Sequence, residues 1–87
     1  MSYYLEFTDK ASEDIAAHKK SGNKTILNKL LILLEELNDH PYTGTGKPEP
    51  LKHALSGLWS RRINHEHRLI YEVTDTIVYI LSAKGHY

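Results

Sequence analysis

Leu58-Trp-Ser-Arg-Arg-Ile-Asn-His-Glu-His-Arg-Leu-Ile-Tyr-Glu-Val-Thr-Asp-Thr-Ile-Val-Tyr-Ile-Leu-Ser-Ala83 decides the fold. Apolar side chains alternate with others in three runs, Leu58 to Ile63, His67 to Val73 and Ile77 to Ala83. That period of two reads as strands. The breaks at Asn64-His65-Glu66 and Thr74-Asp75-Thr76 are short, so each strand must double back on the one before it and neighbours are antiparallel. In the middle run His67, Leu69, Tyr71 and Val73 share the core face, while Arg68, Ile70 and Glu72 share the open face. A turn centred on His65 sets Arg62 opposite Arg68. Directly opposed like charges destabilise a strand pair, and a chain tolerates them more readily where an anion is to sit between them. A slip of one residue would abolish this pairing. Arg61 shares parity with Trp59 and Ile63, so a structural role is expected: capping the core edge, or pairing with Glu66 or Glu72.

Upstream of these runs, Ser2 to Phe7 is aromatic-rich and reads as a strand. Thr8 is a plausible N-cap, with Asp9 in the first turn of a helix running to about Lys20 and stopped by Gly22. The apolar face of that helix is thin: Ala11, Ile15 and Ala16. Asn23 or Ser21 caps a second helix. Its stripe holds Leu27, Leu30, Leu31 and Leu34, broadened by Ile26, Leu33 and Leu37. A stripe so wide should be covered by the sheet on one side and by the first helix or a partner on the other. Pro41 disfavours helical geometry at His40 and ends the helix. Tyr42 to Pro50, with its glycines and prolines, reads as a connecting loop. The expected architecture is α+β, with an N-terminal strand and two helices packed on one face of a small, mainly antiparallel sheet. The other face is then free to carry a site.

Eighty-seven residues make one domain, 1–87, with a small core. The formal net charge is zero, which argues weakly against a broad nucleic-acid patch. Its distribution says more: acids outnumber lysines up to His40, and Arg61, Arg62 and Arg68 all lie beyond it. A basic back half suits an anionic partner held on one side. There is no cysteine, hence no disulfide framework and no thiolate zinc site. The first residues lack the basic and apolar regions of a signal peptide, and no apolar run is long enough to span a membrane.

The chemistry concentrates between Gly46 and Tyr71, where Glu49, set between two prolines, falls together with three histidines and three arginines. That mixture suits acid, base and anion-stabilising roles in phosphodiester chemistry. Glu49 stands between Pro48 and Pro50, which fix an extended backbone around it; it is the best candidate base, against the alternative of a surface loop glutamate. Arginine forks match phosphate oxygens. His86 is the best candidate acid if the last strand runs beside the arginines, against the alternative of a frayed end. His53, His65 and His67 compete for that role: His65 is expected in solvent and His67 as a satisfied core-side histidine. His65-x-His67 is weak as a metal site, and neither a phosphate-binding glycine loop nor a serine nucleophile elbow is present.

Lys47-Pro-Glu-Pro-Leu-Lys-His, Leu55-Ser-Gly, Trp59-Ser-Arg-Arg-Ile, Glu66-His-Arg-Leu-Ile-Tyr and the terminal His86-Tyr87 closely resemble the YoeB-type toxins of the Txe/YoeB family, over about residues 41–87. The resemblance implies a RelE-like, microbial-ribonuclease-type fold. It implies a cytoplasmic endoribonuclease that cuts mRNA in the A site of the 70S ribosome, without metal or other cofactor. It also implies a YefM-like antitoxin, contact with operator DNA only through the antitoxin complex, and a possible homodimer. By the same resemblance Glu49 is the general base, His86 the general acid and Arg68 the transition-state stabiliser. Lys52 and Arg62 contact or support phosphate, and Tyr87 orders the site or stacks on a base. One departure stands out: the family pattern favours an arginine and an aromatic before His86-Tyr87, and this chain has Lys84-Gly85, expected to loosen the backbone ahead of the acid. A non-cleaving A-site blocker and a small antitoxin-binding module remain as alternatives.

Overall fold

The computed structural model describes residues 2–51 and 57–85. Strand β1 (Tyr4–Phe7) is followed by helices α1 (Asp9–Ser21) and α2 (Lys24–Leu37), then by β2 (Glu49–Pro50), β3 (Leu58–Arg62), β4 (Arg68–Val73) and β5 (Ile77–Ser82). They build one sheet in the order β1-β5-β4-β3-β2. The pairs β2–β3, β3–β4 and β4–β5 are antiparallel, and β1 lies parallel to β5. This is the α+β arrangement expected, with both helices on the sheet. No helix among the described residues is long and apolar enough to cross a membrane.

Local chemistry sets the helix ends. The Thr8 hydroxyl accepts from the Ala11 amide, and Gly22 closes α1 in the left-handed region. Asn23, not Ser21, caps α2, its side-chain oxygen accepting from the Ile26 amide at 3.1 Å. Ile26, Leu30, Leu33 and Leu37 of α2 pack into the core with Leu69, Tyr71, Val78 and Ile80 from the sheet. Leu31 and Ile32 stay exposed. On α1, Ala11 is buried and Ile15 packs against the core, but Ala16 faces solvent rather than joining them. Asp14 and His18 take the buried positions instead.

The connector from Tyr42 ends in an element that its composition hides. Glu49 and Pro50 form a two-residue strand at the sheet edge, in register with Ser60 and Trp59. Such a segment is too short to show alternation. Its proline is compatible with pairing because β2 has a neighbour on one side only.

Arg61 is fully buried, and the parity argument that placed it on the core side holds. Its partner is neither Glu66 nor Glu72. The guanidinium donates to Glu36 Oε1 at 2.8 Å, to the carbonyls of His40, Thr43 and Thr45, and through Nε to the Tyr71 hydroxyl at 3.2 Å. Tyr71 in turn donates to the Pro41 carbonyl at 2.8 Å. Glu36 also accepts from the amide and hydroxyl of Thr45, at 2.7 and 2.6 Å. Gly44 completes the clasp: a Cβ there would strike Glu36 Oε1.

Two outcomes follow from this cluster. Arg61→Met strips the loop carbonyls of their donor and leaves Glu36 without its cation, so urea unfolding should show a loss of about 3–5 kcal/mol. A loss below about 1 kcal/mol would mean that the loop is held by something else. Burial raises the Glu36 pKa, but the Thr45 hydroxyl and amide and the Arg61 guanidinium outweigh it and leave the carboxyl below its ordinary value of 4.5. A lowered folded-state pKa gives stability that is complete above the unfolded value and is lost as pH falls through the folded one. Stability should therefore fall on acidification below 4.5. Glu36→Gln should flatten that part of the profile, read from urea midpoints between about pH 6 and about pH 3.

Candidate functional site

The face of the sheet away from the helices gathers the charged groups. Register places Glu49 beside Ser60 and Ser60 beside Ile70, while Arg62 stands directly opposite Arg68. The opposition inferred from alternation is therefore present. Arg68 Nη1 lies 3.3 Å from Glu49 Oε1 and 3.4 Å from Ser60 Oγ. Ser60 is buried, whereas the Glu49 side chain is 59% exposed. A contact this long with an exposed carboxylate adds little stability. Its significance is proximity: a carboxylate and a cation stand together on one face, with the Ser60 hydroxyl also against the cation.

Ser60 is absent from the sequence-based set, although it shares parity with Arg62 and that parity was a usable signal. A second cationic feature also went unassigned. Lys29 of α2 joins Lys47, Arg62, Gly46, Ile63 and Asn64 around a cavity of about 240 Å³. Arg62 thus borders this basic hollow while facing Arg68 across the strand pair. Lys29 is distant in sequence from the motif, which is why local reading overlooks it.

The histidines separate. His65 is exposed, as expected of a turn residue. His67 is buried, and its Nδ1 accepts from the Gly85 amide at 2.8 Å. The Gly85 carbonyl accepts from the Arg68 amide at 3.1 Å, so the last described residue runs beside the arginine strand. Far from being loose, Gly85 is tied at both polar backbone groups, and its φ of 78° is one that other residues rarely adopt. The positions Lys52, His53, His86 and Tyr87 lie outside the described residues.

The family model for the YoeB-like toxin of bacterial type II toxin–antitoxin systems matches residues 7–87. Toxin YoeB of Escherichia coli strain K12 is 51% identical over 65 residues, 75% of this chain and 77% of that one. The YoeB/ParE toxin from Agrobacterium tumefaciens superposes with a TM-score of 0.90 at 31% identity, covering 97% of this chain and 99% of that one. YoeB from Staphylococcus aureus, solved as a dimer, gives 0.84 at 40% identity with both chains covered completely. The same toxin in complex with YefM gives 0.81 at 41% identity, again with both chains fully covered.

The facing arginines have a measurable cost. Replacing Arg62 by Thr removes a like-charge opposition and supplies a β-branched side chain, so stability should rise by about 0.2–1 kcal/mol at low salt. The gain should shrink in about 1 M NaCl, where screening already weakens the repulsion. An equal gain at both salt concentrations would assign the effect to strand propensity alone.

Proposed function

We propose that this chain, which belongs to the family of YoeB-like toxins of bacterial type II toxin–antitoxin systems, is an endoribonuclease that cuts mRNA in the ribosomal A site. The observation that supports this most is the contact between Glu49 and Arg68 on the open face, with Arg62 opposite Arg68 in the adjoining strand. Glu49 takes the proton from the 2′-hydroxyl. The 2′-oxygen attacks phosphorus, and the bond from phosphorus to the 5′-oxygen breaks. His86, entering as the imidazolium, gives its proton to that departing oxygen. The products are a 2′,3′-cyclic phosphate and a 5′-hydroxyl, and no metal is required by this route. Arg68 stabilises charge on the pentavalent phosphorus, Arg62 and Lys52 hold neighbouring phosphate, and Tyr87 stacks on a base.

The partners follow the same reading. The Staphylococcus aureus YoeB–YefM complex and YoeB dimer support a YefM-like antitoxin and a homodimer for this chain as well. Operator DNA is contacted only through the antitoxin complex, and the toxin acts in the cytoplasm.

Glu49→Gln, Arg68→Ala and His86→Gln should each restore growth to cells expressing the toxin and cut the cleavage rate by about 10²-fold or more, without loss of fold. Primer extension on mRNA from stalled ribosomes checks this. New discrete ends should appear with the parent and vanish with each variant. Intact mRNA on ribosomes arrested by the parent protein would replace cleavage with simple blockade. Full toxicity of a folded double variant at Glu49 and His86 would remove the acid–base scheme.

A further inference from the structure

Asp14 and His18 occupy buried positions one turn apart on α1, a helix short of apolar residues. Neither belongs to the open face, and both close on the backbone of one residue. The Ala83 amide donates to Asp14 Oδ2 at 3.0 Å, and His18 Nε2 lies 2.7 Å from the Ala83 carbonyl. Two residues further on, Gly85 donates to His67 Nδ1 at 2.8 Å and accepts from the Arg68 amide at 3.1 Å. The rings of His18 and His67 meet edge to face, with centroids 4.8 Å apart. A carbonyl can only accept, so His18 Nε2 carries a hydrogen. An amide can only donate, so His67 Nδ1 carries none. The amides and carbonyls of Ala83 and Gly85 are thus each held by a residue of α1 or of the chain at the start of β4.

Asp14 and His18 are expensive residues to bury for the sake of a core, because each needs its hydrogen bonds met inside the protein. Apolar side chains would fill the same space without that demand. What the polar pair supplies is direction: it fixes where the chain leaves β5 and brings Gly85 against the backbone of Arg68. His86 is bonded to Gly85.

We infer that Asp14, His18 and His67 form a catch that positions the tail, holding Ala83 and Gly85 beside the start of β4, and that the general acid depends on this hold for its rate. They are positioning residues and do not touch the substrate. This inference rests on His86 being the general acid.

The test begins with the intact parent protein, by NMR amide exchange. The Ala83 and Gly85 amides should exchange at least about 100-fold more slowly than unprotected amides. Free exchange at Gly85 would overturn the catch. The second arm measures mRNA cleavage on programmed ribosomes. His18→Leu and His67→Leu should lower kcat by about tenfold or more with KM within about twofold, because misplacing an acid weakens chemistry and not binding. His67→Asn, which keeps an acceptor near the position of Nδ1, should recover most of the rate. In a His86→Gln background the Leu substitutions should cost nothing further, an outcome that general destabilisation does not give. A folded His67→Leu protein with unchanged kcat would also overturn the catch. Should neither Leu variant fold, Gly85 exchange in the parent decides alone. If His86→Gln cleaves at the parental rate while Gly85 stays protected, the assignment of the acid fails and the catch remains only as a structural clasp.

Discussion

A guanidinium removed wholly from water must find partners or carry a penalty of several kcal/mol. Arg61 is in that position, and its partners determine the shape of the molecule around it. One is a carboxylate on α2; three are main-chain carbonyls between His40 and Thr45. A single buried cation on β3 therefore ties the end of α2 and the connector to the sheet. The Gly46 carbonyl then accepts from the Arg62 amide at 2.7 Å, and the chain proceeds to β2 with Glu49 in register with Ser60. The position of Glu49 beside Arg68 is thus a consequence of how Arg61, on the core side of the strand between them, satisfies its charge. Consecutive arginines in a strand point to opposite faces. Arg61 is spent on the core side, and Arg62 is left for the open one.

Much of this was legible because period-two alternation is a local signal. It gave the three main strands, the division of their faces and the opposition of Arg62 to Arg68. The caps at Thr8 and Asn23 were legible for the same reason, since a cap acts within three residues. What escaped was long in range or short in extent. Glu36 and Arg61 are joined only by the folded geometry, and nothing near Arg61 in sequence points to a carboxylate on α2. β2 comprises two residues, below the length at which alternation means anything. The apolar face of α1 is thin in sequence, but the partner that makes Asp14 and His18 part of the core side, the backbone of Ala83, lies at the far end of the chain.

The two faces of the sheet obey opposite rules. On the helix side the buried charges are answered: no buried side-chain nitrogen or oxygen among the described residues lacks a hydrogen bond. On the open side Arg62 and Arg68 are placed against each other, and the contact of Arg68 with Glu49 is long and exposed. A surface chosen for stability alone would have alternated these signs more evenly. The accumulation of positive charge costs stability and strengthens the field toward an anion, which is the usual relation between a functional surface and the scaffold carrying it.

The departure at Lys84-Gly85 gains a physical meaning from the same contrast. An aromatic side chain ahead of the terminal histidine could anchor the tail by packing. A glycine has no side chain to pack, so whatever holds it must act through its backbone. Here both polar groups of Gly85 are engaged, and its positive φ turns the chain in a way that an aromatic residue would resist. The expected looseness of glycine describes an unrestrained chain; hydrogen bonds at both ends of the residue remove much of that freedom. His67, expected only as a satisfied core histidine, is one of the groups that removes it, and it directly precedes Arg68 in the chain. Restraint of the tail and presentation of the cation therefore come from adjacent residues at the start of one strand, so a shift there would disturb both together.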